Sequence, residues 1–263
     1  MSLTKYDGNI HPDEWEGGET SKYISNFRKL CYNAEIDVEE QKKYLYQSLP
    51  NNYFLTEFSK KKEKIKSTNE LMKEFEEIVI DESNLIRYDS IIALKHVATG
   101  KYLSSIGKYY YSTGSGSQMV FASNLVLDRN GLWIIKINDT GFNNQELASY
   151  TDNTPIYLQH KNSSCYLTNC GRETKSPSTG NTEVCCNNYS AKWNFKNSKL
   201  ENYQGYLRSN DIINLSTKYG GEPLQFLRSH ELQFTIKNDT YQEVVCHSER
   251  LGGNDEWCIE LVK

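Results

Sequence analysis

A chain of 263 residues with 37% hydrophobic residues can fill one large domain or two modest ones, and its 19 tyrosines add apolar area with a polar tip. Residues 1–82 hold 12 Lys/Arg against 17 Asp/Glu and the remainder 18 against 17, so neither part has the basic excess that neutralises a phosphate backbone. Nucleic acid is therefore excluded as a first expectation, and the absence of an apolar run near ~20 residues argues against membrane insertion.

The first eighty residues read as helices, with residues 1–20 as the loosest part. Ile24, Phe27, Leu30, Cys31 and Ala34 fall on one face at helical spacing. Asp37-Val-Glu-Glu40 is a capping box that opens a second helix through Tyr44 and Leu45 to a stop at Pro50. Tyr53 to Ile65 reads as a third, carrying Lys60-Lys61-Lys62-Glu63-Lys64, a run expected to be a solvated face. Ser67-Thr-Asn-Glu70 caps a fourth, whose buried stripe is Leu71, Phe75, Ile78 and Val79. The expectation is a small helical bundle over residues 1–82.

Beyond Asp81-Glu-Ser-Asn84 the texture changes to short β-branched and aromatic runs divided by Gly, Asn, Asp and Ser. Self-comparison of this part reveals three units. Leu94 matches Leu158 and Leu103 matches Leu167, both 64 apart; Leu215 and Leu227 are their third-unit counterparts across a three-residue insertion. Ser112-TGSGSQMV120, Ser176-PSTGNTEV184 and Ile236-KNDTYQEV244 then align without gaps, and each unit closes on a tryptophan: Trp133, Trp193 and Trp257. Three units of about 60 residues with four strands each predict a six-stranded barrel capped by three hairpins, a β-trefoil over residues 83–263. Leu94, Leu103, Val120, Trp133, Leu158, Leu167, Val184, Trp193, Leu215, Leu227, Val244 and Trp257 are its expected core. As a whole the chain is expected to be α+β: helical bundle first, all-β trefoil second.

Three strings in the first unit, Leu94-Lys-His96, Thr99-Gly-Lys-Tyr-Leu103 and Gly114-Ser-Gly-Ser-Gln118, together with Leu132-Trp133, resemble the MIR family. Leu158-Gln-His160 and Arg228-Ser-His230 extend the likeness into the other two units. The resemblance implies a non-catalytic trefoil that binds a glycan or a protein partner, as in protein O-mannosyltransferases, where the module is accessory to a catalytic part. MIR repeats often carry a Leu-His-Ser-His-like string after the hairpin glycine. Here those places read Leu103-Ser-Ser, Leu167-Thr-Asn and Leu227-Arg-Ser-His230, so no histidine-based site is implied in the first two units. Within residues 6–80, Tyr6-Asp-Gly, Trp15, Leu49-Pro50 and the Ser67–Val79 helix are similar to the capsid segment of retrotransposon Gag-like proteins. That implies an alternative, an assembly module that forms homo-oligomers through its helices and displays the trefoil.

No catalytic set emerges. His96 and His160 sit at equivalent repeat positions, which fits a shared strand-end hydrogen bond better than catalysis. Cys246 and His247 are adjacent, and strand neighbours face opposite ways; the same objection applies to Asp255 and Glu256 as paired carboxylates. The seven cysteines lack zinc-ligand spacing, so no metal and no cofactor is expected. An N-terminus without a charged-then-apolar profile, together with an odd cysteine count, leads to the expectation of reduced thiols in a cytoplasmic protein. The candidate ligand-binding residues are Tyr109, Tyr110 and Tyr111, of which strand alternation must expose at least one, with Asn169, Arg228 and His230 at the related places of the other units. The tyrosines could equally be edge aromatics that pack against the helices.

Overall fold

The computed structural model describes the chain apart from residues 1–3, 7–8, 12–18, 113, 125–128, 138–145, 151–154, 172, 201–204, 222 and 237. Asp7, Gly8 and Trp15 of the Gag-like pattern therefore lie outside the described residues. The chain divides into two compact units, Met1–Asn84 and Leu85–Lys263.

The first unit opens with two short antiparallel strands that the sequence pattern does not announce, β1 (Thr4–Tyr6) and β2 (Asn9–His11). Four helices follow: α1 (Thr20–Asn33), α2 (Val38–Gln47), α3 (Asn52–Lys61) and α4 (Thr68–Ser83). Three have side-chain caps on otherwise orphaned N–H groups: Asp37 accepts from Glu40 N, Asn51 from Tyr53 N and Phe54 N, and Ser67 from Glu70 N. Tyr23, Ile24, Phe27 and Cys31 of α1 are buried, as are Leu71, Met72, Phe75 and Ile78 of α4, with the Tyr23 and Phe75 rings 5.4 Å apart. In the lysine run, Lys60 pairs with Glu57, and Lys61 reaches Glu74 at 2.6 Å and Glu77 at 3.2 Å. Among the described residues no helix is long and apolar enough to cross a membrane.

The second unit is built from twelve strands: β3 (Ile91–His96), β4 (Tyr102–Tyr110), β5 (Gln118–Ser123), β6 (Trp133–Lys136), β7 (Tyr157–His160), β8 (Tyr166–Asn169), β9 (Thr182–Asn187), β10 (Trp193–Asn197), β11 (Ile212–Thr217), β12 (Gln225–Ile236), β13 (Asp239–His247) and β14 (Trp257–Leu261). Six of them close a ring. β3 pairs with β6, β6 with β7, β10 with β11, β11 with β14 and β14 with β3, while the Ile156–Trp193 bridge joins β7 to β10. The remaining strands form three hairpins, β4–β5, β8–β9 and β12–β13, whose second strands meet in a ring of their own through β5–β9, β9–β13 and β13–β5 pairings. This is the three-fold architecture of a β-trefoil, which leaves few free strand edges.

The twelve repeated Leu, Val and Trp positions are all buried, none more than 1% exposed. Each tryptophan also performs the same polar task, its indole N–H donating to the backbone of its own unit's hairpin: Trp133 to Leu103 O at 2.9 Å, Trp193 to Leu167 O at 2.9 Å and Trp257 to Leu227 O at 3.1 Å. A cyclic set of backbone bonds repeats the symmetry elsewhere: Ile86 N to Leu207 O, Leu207 N to Ala148 O, and Ala148 N to Ile86 O.

His96 and His160 are fully buried and bonded alike. His96 holds Thr99 Oγ1 and Asn254 O; His160 holds Ser163 Oγ and Asn130 O. Thr217 takes the third place, with its hydroxyl on Lys192 O. The expectation of reduced thiols is corrected at one pair: Cys170 and Cys185, 15 residues apart, form a disulfide that clips the segment after β8 onto β9. Spacing alone could not announce it, because disulfide connectivity is set by which strands the fold brings together.

Candidate binding site

Register positions 119, 183 and 243 are equivalent in the three units, one residue before the buried valines, and side chains alternate along a strand. Where Val120, Val184 and Val244 enter the core, Met119, Glu183 and Glu243 belong to the opposite side, and they line a cavity of about 680 Å³ at the hairpin end of the trefoil. All three units contribute to it. Tyr109 and Tyr110 end β4 and Tyr111 follows it, while Ser176 to Ser178 come from the segment before β9 and Phe234 to Ile236 from the end of β12. The volume is in the range of small-molecule sites.

The three tyrosines differ in what they do. Tyr111 ties the cavity to the core: its hydroxyl donates to Val184 O at 2.9 Å and meets Val120 O at 3.3 Å, and burial pushes its pKa well up. Tyr109 stands edge-on to Tyr241 at 6.2 Å, and Tyr241 continues into a cluster with Phe121 at 4.2 Å and Phe234 at 6.1 Å. Tyr110 is 59% exposed, so its ring is available at the mouth. A fixed ring, a braced ring and a free ring together make an aromatic wall.

The polar side is acidic. Glu183 is 3% exposed and accepts a hydrogen bond from Ser115 N at 3.2 Å; burial raises its pKa, and the bonds from Ser115 oppose that rise. Glycine at 114 gives it room: a Cβ there would stand 2.4 Å from Glu183 Oε2, so the carboxylate would have to shift, and Gly114 has φ +70°. Glu243 accepts from the Ser176 hydroxyl on one oxygen, while its other lies 3.0 Å from His230 Nε2. That pair is off-line for a hydrogen bond, so each atom is buried with only an electrostatic neighbour. Lys108, exposed on β4, is the one Lys or Arg lining the cavity among the described residues.

The cavity thus brings together Tyr109, Tyr110 and Tyr111, and His230 stands behind it through Glu243. Asn169 and Arg228 do not line it. Asn169 is 1% exposed, its amide donating to Gln225 Oε1 and its carbonyl oxygen accepting from Gly171 N. Arg228 directs Nε to Asp255 Oδ1 at 2.8 Å and Nη1 to Glu249 at 3.1 Å. The two carboxylates escaped the sequence reading, although the aligned strings ending Gln-Met-Val, Thr-Glu-Val and Gln-Glu-Val already place them in register.

The pairs considered for chemistry are engaged elsewhere. Burial pushes the Cys246 thiol up, and His247 points away to Asp255, with Nε2 2.8 Å from Oδ1 while Nδ1 accepts from Glu249 N. Burial alone would raise the Asp255 pKa; hydrogen bonds from His247, Arg228 and Gly252 N overturn that and hold it down at about 2. Its neighbour Glu256 pairs with Lys199 at 2.7 Å. Among the described residues no group of three or more His, Cys, Asp or Glu could hold a metal ion.

No protein-family model matches the chain, and no curated protein matches it. Solved structures do. The SDF2-like protein from Arabidopsis thaliana is 24% identical with a TM-score of 0.55, over 66% of this chain and 94% of that one. A Caenorhabditis elegans protein of unknown function is 19% identical with a TM-score of 0.58, over 68% and 98%. The S. cerevisiae protein O-mannosyltransferase Pmt1–Pmt2 complex bound to the sugar donor is 17% identical with a TM-score of 0.54, over 90% of this chain and 37% of that chain. At these identities the likeness establishes the fold.

Proposed function

We propose that this chain is a non-catalytic recognition protein whose trefoil, of the MIR kind, holds a glycan in the cavity at its hairpin end. The observation that carries this reading is the aromatic wall facing hydrogen-bonding groups. A sugar presents an apolar face to a ring and hydroxyls to acceptors, and Tyr110 with Glu183, Glu243 and Ser176 supplies both from three units of the repeat. The likeness to a sugar-handling complex is in keeping with it and goes no further than fold. Buried or ion-paired partners for Cys246, His247, Asp255 and Glu256 support a binding role over catalysis.

We further propose that the four helices of residues 1–84 form a self-contained bundle, joined to the trefoil at Asn84–Leu85, which serves as a separate attachment or assembly module. A glycan array probed with the whole chain and with Tyr110→Ala tests the main reading. Retention of one class of saccharide by the parent, weakened about fivefold in the variant, is the expected result, since one stacked ring contributes on the order of 1 kcal/mol. If the parent retains no saccharide, or the variant retains the same ones as strongly, the cavity is not a glycan site.

A further inference from the structure

The polar floor of the cavity has a sign as well as a shape. Glu183 is almost wholly buried, its polar contacts come from Ser115, and among the described residues no Lys or Arg forms an ion pair with it. One repeat away, Glu243 turns toward the same cavity and shares His230 and Ser176. A carboxylate taken out of water without a cation carries a desolvation cost, and a neutral hydroxyl relieves only part of it. An ammonium relieves it through both charge and hydrogen bonding. The walls suit the same charge, because Tyr109, Tyr110 and Phe234 line the site with aromatic rings, whose faces attract cations. Among the described residues Lys108 is the one Lys or Arg that lines the cavity, and it is exposed. A cavity of about 680 Å³ is far larger than an ammonium group, and the Ser112, Ser176 and Ser178 hydroxyls lie around it to engage the rest of a polar ligand.

From this cavity, with two acidic side chains at equivalent repeat positions and an aromatic wall, we infer that the saccharide bound is one bearing a free amino group, a de-N-acetylated hexosamine unit whose ammonium sits on Glu183. The inference rests on the glycan reading above and narrows it to a charge class. Gly114 lies against this carboxylate: a Cβ there would stand 2.4 Å from Glu183 Oε2 and would shift it.

Calorimetric titration of the whole chain with three probes provides the test: a β-1,4-linked glucosamine tetrasaccharide, its fully N-acetylated counterpart and a lysine-containing peptide, in buffer that keeps the amines protonated. The glucosamine oligomer is expected to bind about tenfold more tightly than the acetylated one, with the gap shrinking as salt is added. Glu183→Gln is expected to abolish the preference, so that the two oligomers bind the variant with equal strength. Equal or tighter binding of the acetylated oligomer overturns the inference and leaves the glycan reading intact. Binding of the lysine peptide with neither sugar overturns both. The preference in the parent protein is itself the readout, so a Glu183→Gln chain that failed to fold would not shelter the proposal.

Discussion

Asp255→Asn isolates a buried charge network of the third unit. Asp255 and His247 are fully buried, and Asp255 accepts from His247 Nε2 and Arg228 Nε at 2.8 Å each and from Gly252 N at 2.7 Å. A carboxyl held down from 3.8 to about 2 stabilises the fold by about 2.5 kcal/mol at neutral pH, at about 1.36 kcal/mol per unit. Because its folded value lies below its unfolded one, that stabilisation is present above about pH 4 and is lost as pH falls toward 2. By pH 3 about half is gone. The substitution also leaves Arg228 without its main partner, so the total loss at pH 7 is expected to be about 3–5 kcal/mol. Urea unfolding followed by circular dichroism at pH 7 and pH 3 measures both parts: the gap between parent and variant should narrow by about 1 kcal/mol at the lower pH. A gap below 1 kcal/mol at pH 7, or one unchanged with pH, would refute the reasoning.

Trp133→Phe, Trp193→Phe and Trp257→Phe should each cost about 2–4 kcal/mol, because each removes one indole donor from a buried carbonyl and leaves unfilled volume; costs spread far beyond that range would break the claimed equivalence of the units. Opening the Cys170–Cys185 disulfide, by reductant or by replacing both residues with Ser, is expected to destabilise the trefoil by about 3 kcal/mol, read as a lower melting temperature, with no change counting against the bridge. Gly114→Ala combines positive φ with a Cβ 2.4 Å from the Glu183 carboxylate, so thermal unfolding should show a loss of about 1–2 kcal/mol; a neutral result would mean that the loop and the carboxylate can part without cost.

The trefoil was legible because its core repeats in register. Leu94, Leu158 and Leu215 recur where a closed barrel must be filled, and only loops drift between units. Helix starts were legible for the same local reason: Asp37 and Ser67 can satisfy orphan N–H groups wherever the rest of the chain lies. What escaped depends on contacts between distant strands. Cys170 meets Cys185, and Arg228 meets Asp255, through hairpins and turns whose pairing partners no local pattern specifies. The candidate site was half legible. Three consecutive tyrosines declare an exposed ring, but a lone Glu before a buried Val reads as solvent-facing until three hairpin ends converge and bury it. Asn169 and Arg228 were chosen by hairpin position, yet in this fold the cavity forms from β4, the segment before β9, and the β12–β13 ends.

Amide chemical-shift mapping of the whole chain with the saccharide retained on the array addresses the central claim most directly. The account predicts saturable shifts grouped at Tyr109–Ser112, Ser176–Ser178 and Phe234–Ile236, and their loss in Tyr110→Ala. Shifts confined to the surroundings of Asn169 and Arg228, or to residues 20–83, would contradict it.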